Sequence, residues 1–84
     1  MYRIVFSKSA EKELLNLPER EIPKIINRIE TLSDEPYPKG AKKLAGKINL
    51  WRIRSGNYRI VYSITKKILT IDIIRIRHRK DAYR

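Results

Sequence analysis

Cysteine is absent from the 84-residue chain and histidine occurs once. A disulfide frame and a thiolate metal site are therefore excluded, and a zinc site lacks its usual ligands. No cofactor is expected, and any chemistry is metal-free or borrows its metal. Long apolar runs are missing as well, and charges of both signs make up 35% of the residues, which excludes a membrane span. Met1-Tyr2-Arg3-Ile4-Val5-Phe6 has neither the basic lead nor the apolar stretch of a secretory signal, so the expected location is the cytoplasm. There is no repeat, low-complexity tract or linker long enough to divide the chain, and residues 1–84 are expected to form a single domain with one modest core. Acid is the scarcest commodity, with 9 Asp and Glu against 20 Lys and Arg. The imbalance is one-sided: residues 1–36 carry a net charge of −1, whereas residues 37–84 carry +12 and only two acids, Asp72 and Asp81. Such an excess points to a polyanionic partner, nucleic acid first. A basic membrane-binding helix fits poorly, because the basic half is patterned as strands.

The short β-branched run Tyr2 to Phe6 predicts a strand, and Ser7 is placed to N-cap a helix whose apolar face is Ala10, Leu14 and Leu17. Pro18 ends that helix. A second begins around Glu19, tolerates Pro23 near its first turn, and carries Ile22, Ile25, Ile26, Ile29 and Leu32 at helical spacing. Asp34-Glu35-Pro36-Tyr37-Pro38 stops it, and a Lys-rich loop to Gly46 follows. From Leu50 the period becomes two. Taking Gly56-Asn57 as a two-residue hairpin turn pairs Trp51 with Tyr62, Ile53 with Ile60, Arg52 with Val61 and Arg54 with Arg59. A further strand, Ile68 to Ile76, follows the Lys66-Lys67 turn, with Leu69, Ile71 and Ile73 on the apolar face and Asp72 beside Val61. The expected fold is α+β: an N-terminal strand, a two-helix hairpin, then an antiparallel meander sheet with the helices packed on one face and the other face open.

That register places Arg52, Arg54 and Arg59 together on the open face, with Arg54 directly opposite Arg59. Like charges facing across a strand pair are destabilising, so folding alone does not explain them. Guanidinium groups are planar, permanently charged and matched to phosphoryl oxygens, and three on a rigid sheet make a preorganised anion site. The competing reading is a solvated face with side chains splayed apart. The tail Arg75 to Arg84 adds five basic residues and two groups able to exchange protons, His78 and Tyr83, and its place after the last strand allows it to fold over the arginines. Trp51, Tyr58 and Tyr62 share parity with the isoleucines and belong to the core. Tyr37, in the basic loop, either packs between its flanking prolines, the favoured reading, or stacks on a base, and Lys42 and Lys43 either track a phosphate backbone or are solvated. If the ligand is RNA, attack of a ribose 2′-hydroxyl on the adjacent phosphate needs a base, an acid and positive charge on the phosphoryl oxygens. The arginines meet the last need, and Tyr83 and His78 are better proton carriers than any guanidinium.

Lys42-Lys43-Leu44, Leu50-Trp51-Arg52-Ile53-Arg54, Gly56-Asn57-Tyr58-Arg59-Ile60-Val61-Tyr62 and His78-Arg79-Lys80-Asp81-Ala82-Tyr83-Arg84 together resemble the RelE/ParE superfamily of type II toxins. Ser7-Lys8-Ser9-Ala10-Glu11-Lys12 followed by Leu14 is similar to that family's first helix. The resemblance implies a microbial-ribonuclease-like fold. It also implies neutralisation by an adjacent acidic, RelB-like antitoxin that wraps the toxin, with the pair able to bind operator DNA through the antitoxin. In the RelE branch it implies ribosome-dependent cleavage of mRNA in the A site, making the protein an mRNA interferase whose partners are ribosome and mRNA, with no membrane. The catalytic positions it implies are Arg52, Arg54, Arg59, Arg79 and Tyr83, and the RNA-binding positions are Lys42, Lys43, Arg77, His78 and Lys80. Two departures stand out. Arg52 and Arg54 occupy positions that are lysine in the best-known members, leaving Tyr83 or an arginine to act as base, and Arg77 stands where many members have glycine. Two further readings remain, a ParE-like DNA gyrase inhibitor without nuclease activity and a protein that only docks on nucleic acid.

Overall fold

The computed structural model describes residues 1–44, 46 and 49–80. Arg3–Phe6 forms β1, and the chain turns at Ser7 into helix α1, Lys8–Leu15. Ser7 is the N-cap expected: its Oγ accepts the Ala10 N–H at 3.0 Å, satisfying one of the orphan donors of the first turn. A turn through Pro18 leads to α2, Ile22–Asp34, three residues later than the sequence suggests. Pro23 stands in its first turn, where the missing N–H costs no helical bond. Ile25, Ile29 and Leu32 are buried from α2, and Ala10 and Leu14 from α1.

The remaining strands are β2 (Lys42–Lys43), β3 (Leu50–Ser55), β4 (Tyr58–Thr65) and β5 (Thr70–His78), in the spatial order β1-β5-β4-β3-β2. The β3–β4 hairpin has the register that the Gly56-Asn57 turn dictates, with Trp51 opposite Tyr62, Ile53 opposite Ile60, Arg52 opposite Val61 and Arg54 opposite Arg59. Gly56 takes φ +58 at the first central position of the turn, where a side chain would be strained.

Four features differ from expectation. The Lys-rich loop contributes an edge strand, β2. The strand β1 joins the sheet parallel to β5, so the sheet is mixed rather than a pure meander. Leu69 is half exposed at φ +46, closing a 3-10 turn over Lys66–Ile68, instead of lying on the apolar face. Asp72 pairs with Val5 and Ser63, and it is Arg75 that lies opposite Val61. The last difference has a specific cause. Between Val61 and Tyr62 the β4–β5 register shifts, leaving Ile74 as an extra residue on β5. The bulge inverts the alternation, so Ile71, Ile73 and then Ile76 are buried while Arg75 and Arg77 turn to the open side. Both helices and the core lie on the other side, where Ile53, Ile60 and Tyr62 are fully buried. The Tyr62 hydroxyl donates to the Pro36 carbonyl at 2.8 Å, fastening the chain beyond α2 to the middle of the sheet. Burial raises its pKa to about 12, against an opposing pull from Arg28.

Candidate nucleic-acid interface

Cross-strand pairing sorts the open face into three rows. At one end Val5, Asp72, Ser63 and Leu50 are neighbours across β1, β5, β4 and β3. The middle row is Arg75, Val61, Arg52 and Lys42, and the row beyond it is Arg77, Arg59 and Arg54. The face is therefore graded, with one acid in the first row and three basic residues in each of the other two. Directly opposed positions hold their Cβ atoms about 5 Å apart. Like charges on directly opposed positions, as at Arg54 and Arg59, are destabilising. Two consecutive rows of this kind oppose folding, and they give an anion several donors at once.

Arg59 is central, flanked by Arg54 and Arg77. Its Nε is shielded from solvent, which fixes the base of the guanidinium against the sheet. A cavity of about 190 Å³ opens beside it, lined by Leu44, Arg59, Val61, Arg75 and Arg77. A water molecule occupies about 30 Å³ of liquid, so the space suits a group of phosphate size or larger. The frame behind the arginines is fixed from the covered side, where Arg28 of α2 donates from Nε to the Arg54 carbonyl at 3.2 Å.

The structure brings Arg52, Arg54, Arg59, Arg77 and Lys42 together and separates others from them. Lys43 pairs with Trp51 and so takes the opposite parity from Lys42. His78 is opposite Tyr58, on the helix side of the sheet, with the two rings edge to face at 5.3 Å. Its Nδ1 accepts the Lys80 N–H at 3.2 Å, and it lines a groove below α1 with Leu17 and Pro18. The Arg79 N–H donates to the Asn57 carbonyl at 2.6 Å, which keeps the chain beside the β3–β4 turn at the strongly basic end. Tyr83 lies outside the described residues. Tyr37 packs edge-on against Trp51 at 4.8 Å with the Lys66 ammonium over its ring, away from the arginine rows.

Sequence reasoning missed two members of the site. Arg75, which unbroken alternation along the strand Ile68 to Ile76 puts on the apolar side, belongs to the middle row of the open face; its signal is the consecutive pair Ile73-Ile74, which breaks strict alternation. Glu13 is the other. From α1 it reaches the edge of β5, accepting Arg77 Nε–H at 2.9 Å and lying 3.7 Å from Arg75 Nη1. Nothing in the local sequence marks a contact spanning more than sixty residues. Among the described residues, no three His, Cys, Asp or Glu side chains converge as metal ligands, and no helix is long and apolar enough to cross a membrane.

The chain and its fold resemble known proteins. Residues 4–83 match the model of the ParE toxin of the type II toxin–antitoxin system parDE. The chain is 33% identical over 87 residues to toxin RelG of Mycobacterium tuberculosis, covering 99% of this chain and 97% of that one. Among solved structures it resembles the RelBE2 toxin–antitoxin complex of M. tuberculosis, with a TM-score of 0.82 and 29% identity over 92% of this chain and 96% of the other. The RelE–RelB complex of Pyrococcus horikoshii gives a TM-score of 0.81 and 31% identity, over 93% and 94% of the two chains.

Proposed function

Because the chain belongs to the ParE toxin family of type II toxin–antitoxin systems, the RelE/ParE group, we propose that it is a ribosome-dependent mRNA endoribonuclease that halts translation by cutting mRNA in the A site. The observation that carries this reading is the pair of basic rows on the sheet face opposite α1 and α2, with Arg59 at their centre. The reaction is attack of a ribose 2′-hydroxyl oxygen on the adjacent phosphorus. A P–O2′ bond forms, the P–O5′ bond breaks, and the products are a 2′,3′-cyclic phosphate and a 5′-hydroxyl. Negative charge grows on the non-bridging oxygens in the transition state, where Arg52, Arg54 and Arg59 stabilise it without moving. The 2′-hydroxyl loses a proton and the departing 5′-oxygen gains one. Guanidinium is too weak an acid for that exchange, so Tyr83 is assigned to proton transfer and Arg79 to the phosphate. Lys42, Arg77 and Lys80 complete the RNA contact, whereas Lys43 and His78, which the pairing turns to the other side of the sheet, are left out of it.

The natural inhibitor in this reading is an acidic, RelB-like antitoxin that covers the arginine rows, its binding weakening with salt, and the pair reaches operator DNA through the antitoxin. The deciding experiment maps mRNA 5′ ends shortly after induction, for the protein and for Arg59→Ala. New 5′ ends inside translated frames, lost at least 100-fold in the variant as for removal of a preorganised charge donor, are the expected result. A second reading follows from the ParE name of the matching family model: a gyrase-binding toxin without chemistry. Growth arrest with DNA damage and intact messages would select it.

A further inference from the structure

One carboxylate, Glu13, belongs to neither arginine row, comes from the far side of the sheet and contacts an arginine of each. The strand β1 pairs with β5 from Thr70 to Ile73, so beyond the bulge the outer edge of β5 has no neighbouring strand among the described residues. The end of α1 covers that edge. Ser7 fastens the helix start beside the bulge, its N–H donating to the Ile73 carbonyl at 2.9 Å and its Oγ to the Ile74 carbonyl at 3.1 Å. Less than two turns later, Glu13 makes the second attachment. Its Oε1 accepts the Ile76 N–H at 2.9 Å, a donor otherwise left on an open strand edge. Its Oε2 accepts Arg77 Nε–H at 2.9 Å and faces Arg75 Nη1 at 3.7 Å. One oxygen holds the strand and the other holds the arginines. The side chain is 22% exposed, so water screens the contact only in part.

We propose that Glu13 is a positioning residue of the RNA site, holding Arg77 in line with Arg59 and Arg54 against their mutual repulsion. The inference rests on the ribonuclease reading above for its cleavage readout. A guanidinium has five N–H donors, and the contact with Glu13 uses the one at Nε, the root of the fork, leaving the terminal amino groups to turn toward a phosphate. Without the carboxylate, Arg77 is pushed away from Arg59 and becomes one more flexible surface cation. The cavity beside Arg59 then loses part of its lining, since Arg77 borders both it and the groove under α1. Glu13 also lowers the positive charge of the face by one. Its removal therefore strengthens general attraction for RNA while loosening the geometry, and these two effects point in opposite directions.

The test uses the full chain as Glu13→Ala, Glu13→Gln, Arg77→Ala and Glu13→Ala/Arg77→Ala, measuring mRNA cleavage on programmed ribosomes and affinity for a short single-stranded RNA oligonucleotide. In Glu13→Ala, kcat is expected to fall about tenfold, the scale of coupling between contacting side chains, while oligonucleotide affinity holds or rises. Glu13→Gln keeps an acceptor for Ile76 N–H, so it is expected to restore the melting temperature but only part of kcat. In the Arg77→Ala background, removing Glu13 is expected to cost less than twofold further. Equal losses from Glu13→Ala with and without Arg77, or wild-type kcat in Glu13→Ala, overturn the proposal. A wild-type protein that cuts no ribosome-bound mRNA defeats the ribonuclease reading alone. The cycle is then read on oligonucleotide affinity, where Arg77→Ala costing the same with and without Glu13 overturns the proposal and a smaller cost without Glu13 supports it.

Discussion

The two faces of the sheet are made by the same strands, alternate residues going to each, and they obey opposite rules. On the covered face Ile53, Ile60, Tyr62, Ile71, Ile73 and Ile76 are all buried, and each contributes stability by leaving water. On the open face the neighbours of those residues, Arg52, Arg54, Arg59, Arg75 and Arg77, are arranged in rows that repel. A face selected for folding would intersperse charges of both signs; this one has Asp72 at its far end and Glu13 at its margin. The contrast separates what holds the molecule together from what it does. The covered face supplies a rigid frame, and the frame is what allows a cluster of arginines to stay assembled before any anion arrives.

The comparison is broken most severely from the covered side. Ile60→Ala is expected to cost about 2–5 kcal/mol, through lost burial and the cavity left behind, whereas Val61→Ala, one residue along and on the open face, is expected to cost less than about 1 kcal/mol. Urea denaturation of the two variants measures the difference between the faces directly, and equal losses would refute it. A smaller effect comes from Tyr62. Its folded pKa of about 12 lies above the ordinary value of 10.0, so its burial in the neutral form stabilises the fold fully below pH 10 and ceases to do so as pH rises through 12. The loss is about 3 kcal/mol across that window. Tyr62→Phe is expected to be less stable at neutral pH, having left the Pro36 carbonyl without its donor, and to lack that part of the alkaline decline. Denaturation at a series of pH values compares them. The smallest effect sharpens the comparison from the other side. Arg54→Thr removes one member of the repelling row and is expected to raise stability by about 0.5 kcal/mol at low salt, with the gain vanishing at high salt. The same change is expected to make the salt slope of RNA binding shallower by about 0.7, the value of one single-strand phosphate contact. A variant more stable yet weaker in binding is what a functional rather than structural arginine gives.

Much of this was legible in the sequence because hairpin geometry is local. A glycine at the first central turn position and strict alternation on both sides leave one register, and that register alone assembles Arg52, Arg54 and Arg59. The cap at Ser7 and the helical stripe of α2 are equally local. The strand β2 was not legible, since two lysines in a loop carry no periodic signal. Nor was the parallel docking of β1, because a strand this short is compatible with either direction. The pair Ile73-Ile74 is the only local hint of the bulge; without it strict alternation from Ile71 and Ile73 puts Arg75 on the apolar face, and a strand ending at Ile76 leaves Arg77 in the tail. Parity then decided against His78 as a companion of the arginines: one position beyond Arg77, it faces the helix side.

The sequence by itself determined the basic half, the alternation that divides apolar from arginine positions, and the pairing of Arg54 with Arg59, because each depends on residues a few positions apart. The tertiary structure decided which strand flanks that pair and what holds it there. Arg77 joins Arg59 through a bulge and a strand pairing, and Glu13 reaches Arg77 from a helix on the opposite side of the sheet. Contacts of that range are set by how the layers pack, and no local pattern of residues encodes them.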